Sequence, residues 1–234
     1  MSEDESKYPK INTLWKRDEK NRYVIMPGDF SCPEFENIKT WHVTEKIDGM
    51  NIRIFWDGVK VRFGGRTVNA QIPIPLLNYL QDTFTDELMM NTFPPIGESV
   101  IPQVVLYGEG YGVKIQKGGG AYRKDVAFIL FDVRVGGWWL KREDVSQVAL
   151  KLNIEEVPTM SLMTTEQIEA YVKAEFTSDV ETADDDKIAE GVVVRSHPLM
   201  LFRNGTPIMW KLKVEDYRKL EKFGKKEEGT ADAN

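Results

Sequence analysis

Thr44-Glu45-Lys46-Ile47-Asp48-Gly49-Met50-Asn51-Ile52-Arg53-Ile54 is the stretch around which the rest of the chain is organised. Polar and apolar residues alternate on both sides of an Asp-Gly pair, the period of half-buried β-strands interrupted by a tight turn. Lys46 is therefore expected to end one strand, and Asp48 and Gly49 to turn the backbone before a second run from Ile52 to Trp56. A lysine at a hairpin corner is commonly a solvated charge, so the role of Lys46 depends on the company the rest of the chain gives it.

Outward from this point, strands are expected at 41–46, 51–57 and 59–64, the last two joined by Asp57-Gly58. Pro73 and Pro75 open a helix to about Thr83, with Leu76, Leu77 and Leu80 on its buried side. A loop is expected over 91–99, a strand from Val104 to Tyr107, and a central, nearly all-apolar strand from Val126 to Val135. Amphipathic helices come next at 141–152 and 165–176, the second opened by a capping box of Thr164 with Gln167. The acidic stretch 177–187 reads as a mobile loop. Strands at 190–195 and 208–213 form a hairpin closed near Asn204-Gly205, and a helix spans 214–223 before a frayed tail. Residues 1–7 read as a disordered acidic lead. Between them and the first strand, 8–18 interleaves aromatics with bases, as an edge strand or as a contact for nucleotide or nucleic acid. The expectation is a single α+β domain over 1–234, built on antiparallel sheets flanked by helices.

Composition narrows the class. No apolar run approaches the roughly 18 residues of a membrane span, so no membrane is expected as a partner, and the acidic N-terminus is unlike a signal peptide. Cys32 is the only cysteine and His42 and His197 the only histidines, which excludes an intrachain disulfide and a Cys- or His-rich metal cage; both histidines read as ordinary polar residues. A reducing, cytoplasmic setting fits. The net charge of -6 opposes nucleic acid binding until its distribution is considered: Arg195 to Lys226 holds nine basic residues against Glu215, Asp216 and Glu221.

Lys46-Ile47-Asp48-Gly49-Met50-Asn51 is succeeded in order by Arg66-Thr67, Tyr107-Gly108-Glu109-Gly110, Phe131-Asp132-Val133, Glu190-Gly191-Val192-Val193-Val194-Arg195 and Trp210-Lys211-Leu212-Lys213. Each motif is short, but the collinear series over about 41–213 resembles the covalent nucleotidyltransferases, the superfamily of polynucleotide ligases and mRNA capping enzymes. The resemblance implies the ligase adenylation domain, an ATP-grasp-like arrangement of two sheets with the nucleotide in a cleft between them. It also implies ATP and Mg²⁺, with Mn²⁺ as a substitute.

An amine attacks a phosphorus atom only when unprotonated, whereas a free lysine has a pKa of about 10.4. Desolvation and neighbouring cations favour the neutral form, and Lys211, Lys213, Arg66 and a metal ion are the cations on offer. Carried over by resemblance, Lys46 is the nucleophile, Glu45 helps read adenine, and Asn51 and Arg66 hold the ribose and phosphate region. Glu109 binds ribose hydroxyls, Phe131 stacks on the purine, and Glu190 holds the metal. Lys211 and Lys213 alternate along a strand and so reach one face, from which they clamp the α-phosphate. Asp48 and Gly49 shape the turn. The glycine-rich segment 114–124 reads equally as a phosphate contact and as a flexible hairpin loop.

Asn51, where DNA ligases and capping enzymes commonly carry Arg, together with Tyr107-Gly108-Glu109, points to the nick-sealing RNA ligases. The implied partner is nucleic acid with 5′-phosphate and 3′-OH ends, RNA or a nicked duplex. The 21 residues after Lys213 are too few for the OB or helical domain that relatives append, so a stand-alone adenylation domain is expected, with acceptor binding supplied by a partner. Compact ligases of this kind are frequent in bacteriophages. Two alternatives stay open on sequence: a minimal ATP-dependent DNA ligase, and a non-catalytic nucleic-acid-binding protein that keeps the fold.

Overall fold

The apolar run expected to be central is an interior strand of the larger sheet in the computed structural model, one place from its edge, and the structure describes residues 7–67, 69–95 and 101–231. In chain order the strands are β1 (Asn12–Thr13), β2 (Trp15–Arg17), β3 (Ile25–Phe30), β4 (Trp41–Glu45), β5 (Met50–Trp56) and β6 (Val61–Gly65). After the helices α1 (Ile74–Thr83) and α2 (Asp86–Thr92) come β7 (Val104–Gly112), β8 (Val126–Val135) and β9 (Trp138–Trp139). The helix α3 (Arg142–Leu152), β10 (Glu155–Glu156) and α4 (Thr165–Lys173) lead to β11 (Gly191–Ser196), β12 (Met209–Lys213) and α5 (Val214–Ala231). The acidic lead over 1–6 and positions 96–99 of the expected loop lie outside the described residues.

The described residues gather into two compact units. The first comprises Ile47–Val157, Val180–Lys187 and the N-terminal Tyr8. Its sheet runs β10-β8-β7-β5-β6, antiparallel except for the β10–β8 edge, with β9 paired to β8. Successive strand residues point to opposite faces. One face, with Ile52, Ile54, Leu106, Phe128, Leu130 and Val133, packs against Leu76 and Leu80 of α1, Met89 of α2 and Val145 and Leu152 of α3. Burying such side chains at about 25 cal/mol per Å² is the main force holding the helices to the sheet.

The second unit comprises Pro9–Lys46, Pro158–Asp179 and the chain from Ile188 onward. Its sheet runs β1-β12-β11-β4, antiparallel except for the short β1. Trp41, Val43, Val192, Val194, Trp210 and Leu212 cover one face and pack with Ile168 and Val172 of α4 and Val214 and Tyr217 of α5. The capping box opens α4 as expected: the Thr164 hydroxyl accepts from the Gln167 N–H while the Gln167 side chain accepts from the Thr164 N–H.

Three expectations change. Asp48-Gly49 does not close a hairpin: β4 and β5 belong to different sheets, so the turn carries the chain from one unit into the other. The helix α5 does not stop at Phe223 but continues through Gly224 and Gly229 to Ala231, because each glycine costs only about 1 kcal/mol in a helix of eighteen residues. The 177–187 stretch is pinned, not mobile: Val180 is buried, the Asp184 N–H donates to the Ala121 carbonyl, and Asp184 pairs with Lys124. The short α2, capped by the Thr85 hydroxyl, has no counterpart among the expected elements.

Candidate active site

Strand pairing sets the second unit's polar face rung by rung. The Lys46 N–H donates to the Gly191 carbonyl, and Gly191 pairs with Lys213. Thr44 pairs with Val193, which pairs with Lys211. Directly opposed residues share a face, so Lys46, Lys211 and Lys213 lie together on the side away from the Trp41–Trp210 core.

Glu190 immediately precedes β11 and joins this group. Its Oε2 lies 2.5 Å from Lys46 Nζ, and its Oε1 pairs with Lys213 Nζ. The Lys46 and Glu190 side chains are 21% and 16% exposed, so one carboxylate bridges two lysines in a largely desolvated setting. Ion pairs gain strength as solvent is excluded.

Glu45 points the other way. It is 1% exposed and accepts from the Ser178 hydroxyl at 2.6 Å and the Asp179 N–H at 2.9 Å. Burying a carboxylate requires such donors, and here they tie residues 178–179 to the strand that ends at Lys46.

The first unit holds the other predicted residues. Asn51 on β5 and Glu109 on β7 are directly paired, and the buried Asn51 Oδ1 has no hydrogen-bond partner among the described residues. Phe131 is half-buried on β8, two residues beyond Ile129, the partner of Glu109. The Tyr8 ring packs against Phe131 at 4.9 Å and against Tyr107 and Trp139, while its hydroxyl donates to Asp132. Burial pushes the Tyr107 phenol up to about 12, keeping it neutral. Arg66 stands just beyond β6 and is exposed.

The turn after Lys46 is held from the 114–124 segment. The Asp48 N–H donates to the buried Tyr122 hydroxyl at 3.3 Å, and the Gln116 side-chain amide donates to the Gly49 carbonyl at 3.0 Å. Arg123 is committed to Asp125, Tyr111 and Glu155. Tyr122 and Gln116 thus tie this segment to the turn, while Lys114, Lys117 and Gly118 remain exposed. Tyr122 and Gln116 carried no signal in the sequence, since their partners lie some seventy residues upstream.

The sequence profile of the RNA ligase family matches residues 39–213, three quarters of the chain and the span of the motifs. The chain belongs to the RNA ligase family. No curated protein sequence matches this chain. Among solved structures it is similar to Naegleria gruberi RNA ligase with PPi, at 17% identity and a TM-score of 0.63, over 94% of this chain and 59% of that one. It is equally similar to mutants of that protein with ATP and Mn and with AMP and Mn, each at 17% identity and a TM-score of 0.63 over 93% of this chain and 58% of that one. These likenesses establish the shared fold, the α+β nucleotidyltransferase fold expected from the motifs. The chain spans less than two thirds of the Naegleria protein's length.

Proposed function

We propose that the protein is an ATP-dependent ligase that joins 5′-phosphate and 3′-OH ends of RNA through a lysyl-AMP intermediate on Lys46. The carrying observation is the Glu190 carboxylate, one oxygen toward Lys46 and the other toward Lys213, on adjoining strands of one sheet. A decayed or purely structural lysine has no need of this half-desolvated arrangement.

In the first step Lys46 Nζ attacks the α-phosphorus of ATP; the N–P bond forms, the bond to the bridging oxygen breaks, and pyrophosphate leaves. An ion-paired lysine is an ammonium, whereas attack needs the amine, so the Lys46–Glu190 pair opens and the proton is lost before the bond forms. Lys213 and Lys211 hold the α-phosphate oxygens as charge develops there. Glu109 accepts from ribose hydroxyls, Asn51 brings its unpartnered Oδ1 to the same nucleotide, Phe131 stacks on the purine, and Arg66 holds the phosphate region. Glu45 acts from behind by anchoring residues 178–179 to the end of β4.

Magnesium typically takes one or two carboxylates and completes its shell with substrate phosphates and water. Glu190, a single carboxylate beside the nucleophile, suits that mode. A divalent ion there supplies charge neutralisation on the phosphates. The AMP then passes to the RNA 5′-phosphate, and the 3′-OH displaces it as the strand is sealed.

Incubation with labelled ATP and Mg²⁺ tests the reading. An acid-labile protein–AMP adduct is expected for the wild type and none for Lys46→Ala or Lys46→Arg; an unlabelled wild type refutes the proposal. Nicked duplexes with RNA or DNA at the 3′-OH side distinguish RNA from DNA ligase, and equal labelling by GTP favours a capping-type enzyme.

A further inference from the structure

The polar face of the four-stranded sheet has a third rung that the adenylylation chemistry does not use. Beyond Lys46–Gly191–Lys213 and Thr44–Val193–Lys211 lies His42, paired with Arg195, which pairs with Met209. Each rung is about 7 Å from the next, two residues along a strand. His42, Thr44 and Lys46 therefore point the same way from a single strand, with His42 about 13 Å from the nucleophile.

A second imidazole reaches this rung from the residue after β11. His197 Nδ1 lies 2.9 Å from His42 Nε2, with the rings perpendicular at 4.6 Å between centroids. The His197 N–H donates to the Thr40 carbonyl, fixing the backbone from which the ring projects. In such a pair one ring donates and the other accepts. An imidazole N–H is a donor that a phosphate oxygen can accept. Arg195, directly opposite His42, adds a permanent cation on the same face, of the fork shape that suits phosphate. His42 and Arg195 are half-buried and His197 is exposed.

We propose that Arg195, His42 and His197 form an anion subsite for a backbone phosphate of the RNA strand, removed along the sheet from the phosphate that reacts at Lys46. A strand lying along β4 and β11 would meet cationic or N–H donor groups at the first rung and again at the third. All of these groups are set by one strand register, so the spacing is built into the sheet. The inference rests on the ligase reading and names where the substrate strand runs. ATP's own phosphates are a rival source of the same chemistry, and the test separates the two.

The probe is a fluorescent, 5′-phosphorylated single-stranded RNA, its binding followed by anisotropy at several salt concentrations without ATP. In parallel, self-adenylylation is measured as a function of ATP without RNA. Arg195→Gln and His197→Asn should each weaken RNA binding about tenfold or less, but measurably, and Arg195→Gln should reduce the slope of log affinity against log salt by about 0.7, one phosphate contact. Arg195→Lys should recover the slope, and KM for ATP should stay at the wild-type value in all three. Unchanged RNA affinity and slope in both loss variants overturn the subsite while leaving the ligase reading intact. A raised KM for ATP also overturns it, assigning the rung to the nucleotide. A wild type that fails to self-adenylylate yet binds RNA with an Arg195-dependent slope removes the ligase reading and keeps the strand site.

Discussion

A single methyl group at Gly49 should cripple the first chemical step. A Cβ at this position would stand 2.4 Å from the Gly110 carbonyl oxygen and 2.7 Å from Glu109 Cγ, where real Cβ contacts stop at about 3.0 Å. The turn must therefore back away from β7 by about 0.6 Å. Gly110 is fixed by pairing on both sides, to β5 and to β8, so it is the Asp48-Gly49 segment that yields. That movement loosens the Tyr122 and Gln116 hydrogen bonds and displaces the segment three residues from the nucleophile. A misplacement of about 1 Å can cost about 100-fold in rate, so Gly49→Ala should slow single-turnover self-adenylylation by roughly ten- to a hundredfold. Overpacking should also lower stability by about 1–3 kcal/mol. Gly118→Ala is the control, since a Cβ there meets no described residue within 4 Å. Labelling of Gly49→Ala within twofold of the wild-type rate would refute the reasoning.

Other substitutions separate the parts. Tyr122→Phe keeps the buried ring and removes one acceptor of the Asp48 N–H; a loss of about 1 kcal/mol predicts a several-fold slower adenylylation with little change in melting temperature. Ser178→Ala strips a donor from the buried Glu45 carboxylate and should destabilise the fold by about 1–3 kcal/mol in urea titration. Asp57 is held below its ordinary carboxylate value, chiefly by the Lys60 N–H. A lowered folded pKa stabilises above the unfolded value of 3.8 and is lost as pH falls through the folded one, so Asp57→Asn should flatten the acid limb of the stability curve. Chelation of divalent ions should abolish adduct formation, and added Mg²⁺ or Mn²⁺ should restore it.

The elements with strong local signals were readable from the sequence. The capping box at Thr164, the apolar run of β8 and the paired lysines of β12 come from side-chain period and cap chemistry, which act within a few residues. The grouping of Lys46, Lys213 and Glu190 was readable from motif order alone. The hidden features depended on partners distant in the chain. Nothing in Asp48-Gly49 says that the strands it joins enter different sheets. The acidity of 177–187 suggested solvent because its partners, Glu45, Ala121 and Lys124, are fifty or more residues away. The two histidines, read as unrelated polar residues, meet only once β4 and β11 have paired.

The order of strands along the chain also governs when this protein can become reactive during its own synthesis. Every strand of the first unit's sheet lies between Met50 and Glu156, so that sheet can close as one continuous stretch leaves the ribosome. The strand leading to Lys46 must instead wait for β11 and β12, almost 150 residues later. At bacterial or eukaryotic elongation rates of about 5–20 residues per second, that delay is on the order of ten seconds. Nascent chains released before Glu190 would carry the lysine without its bridging glutamate or its companion lysines, and those released between β11 and β12 would have the glutamate but neither Lys211 nor Lys213, so on the proposed reading neither could load itself with nucleotide.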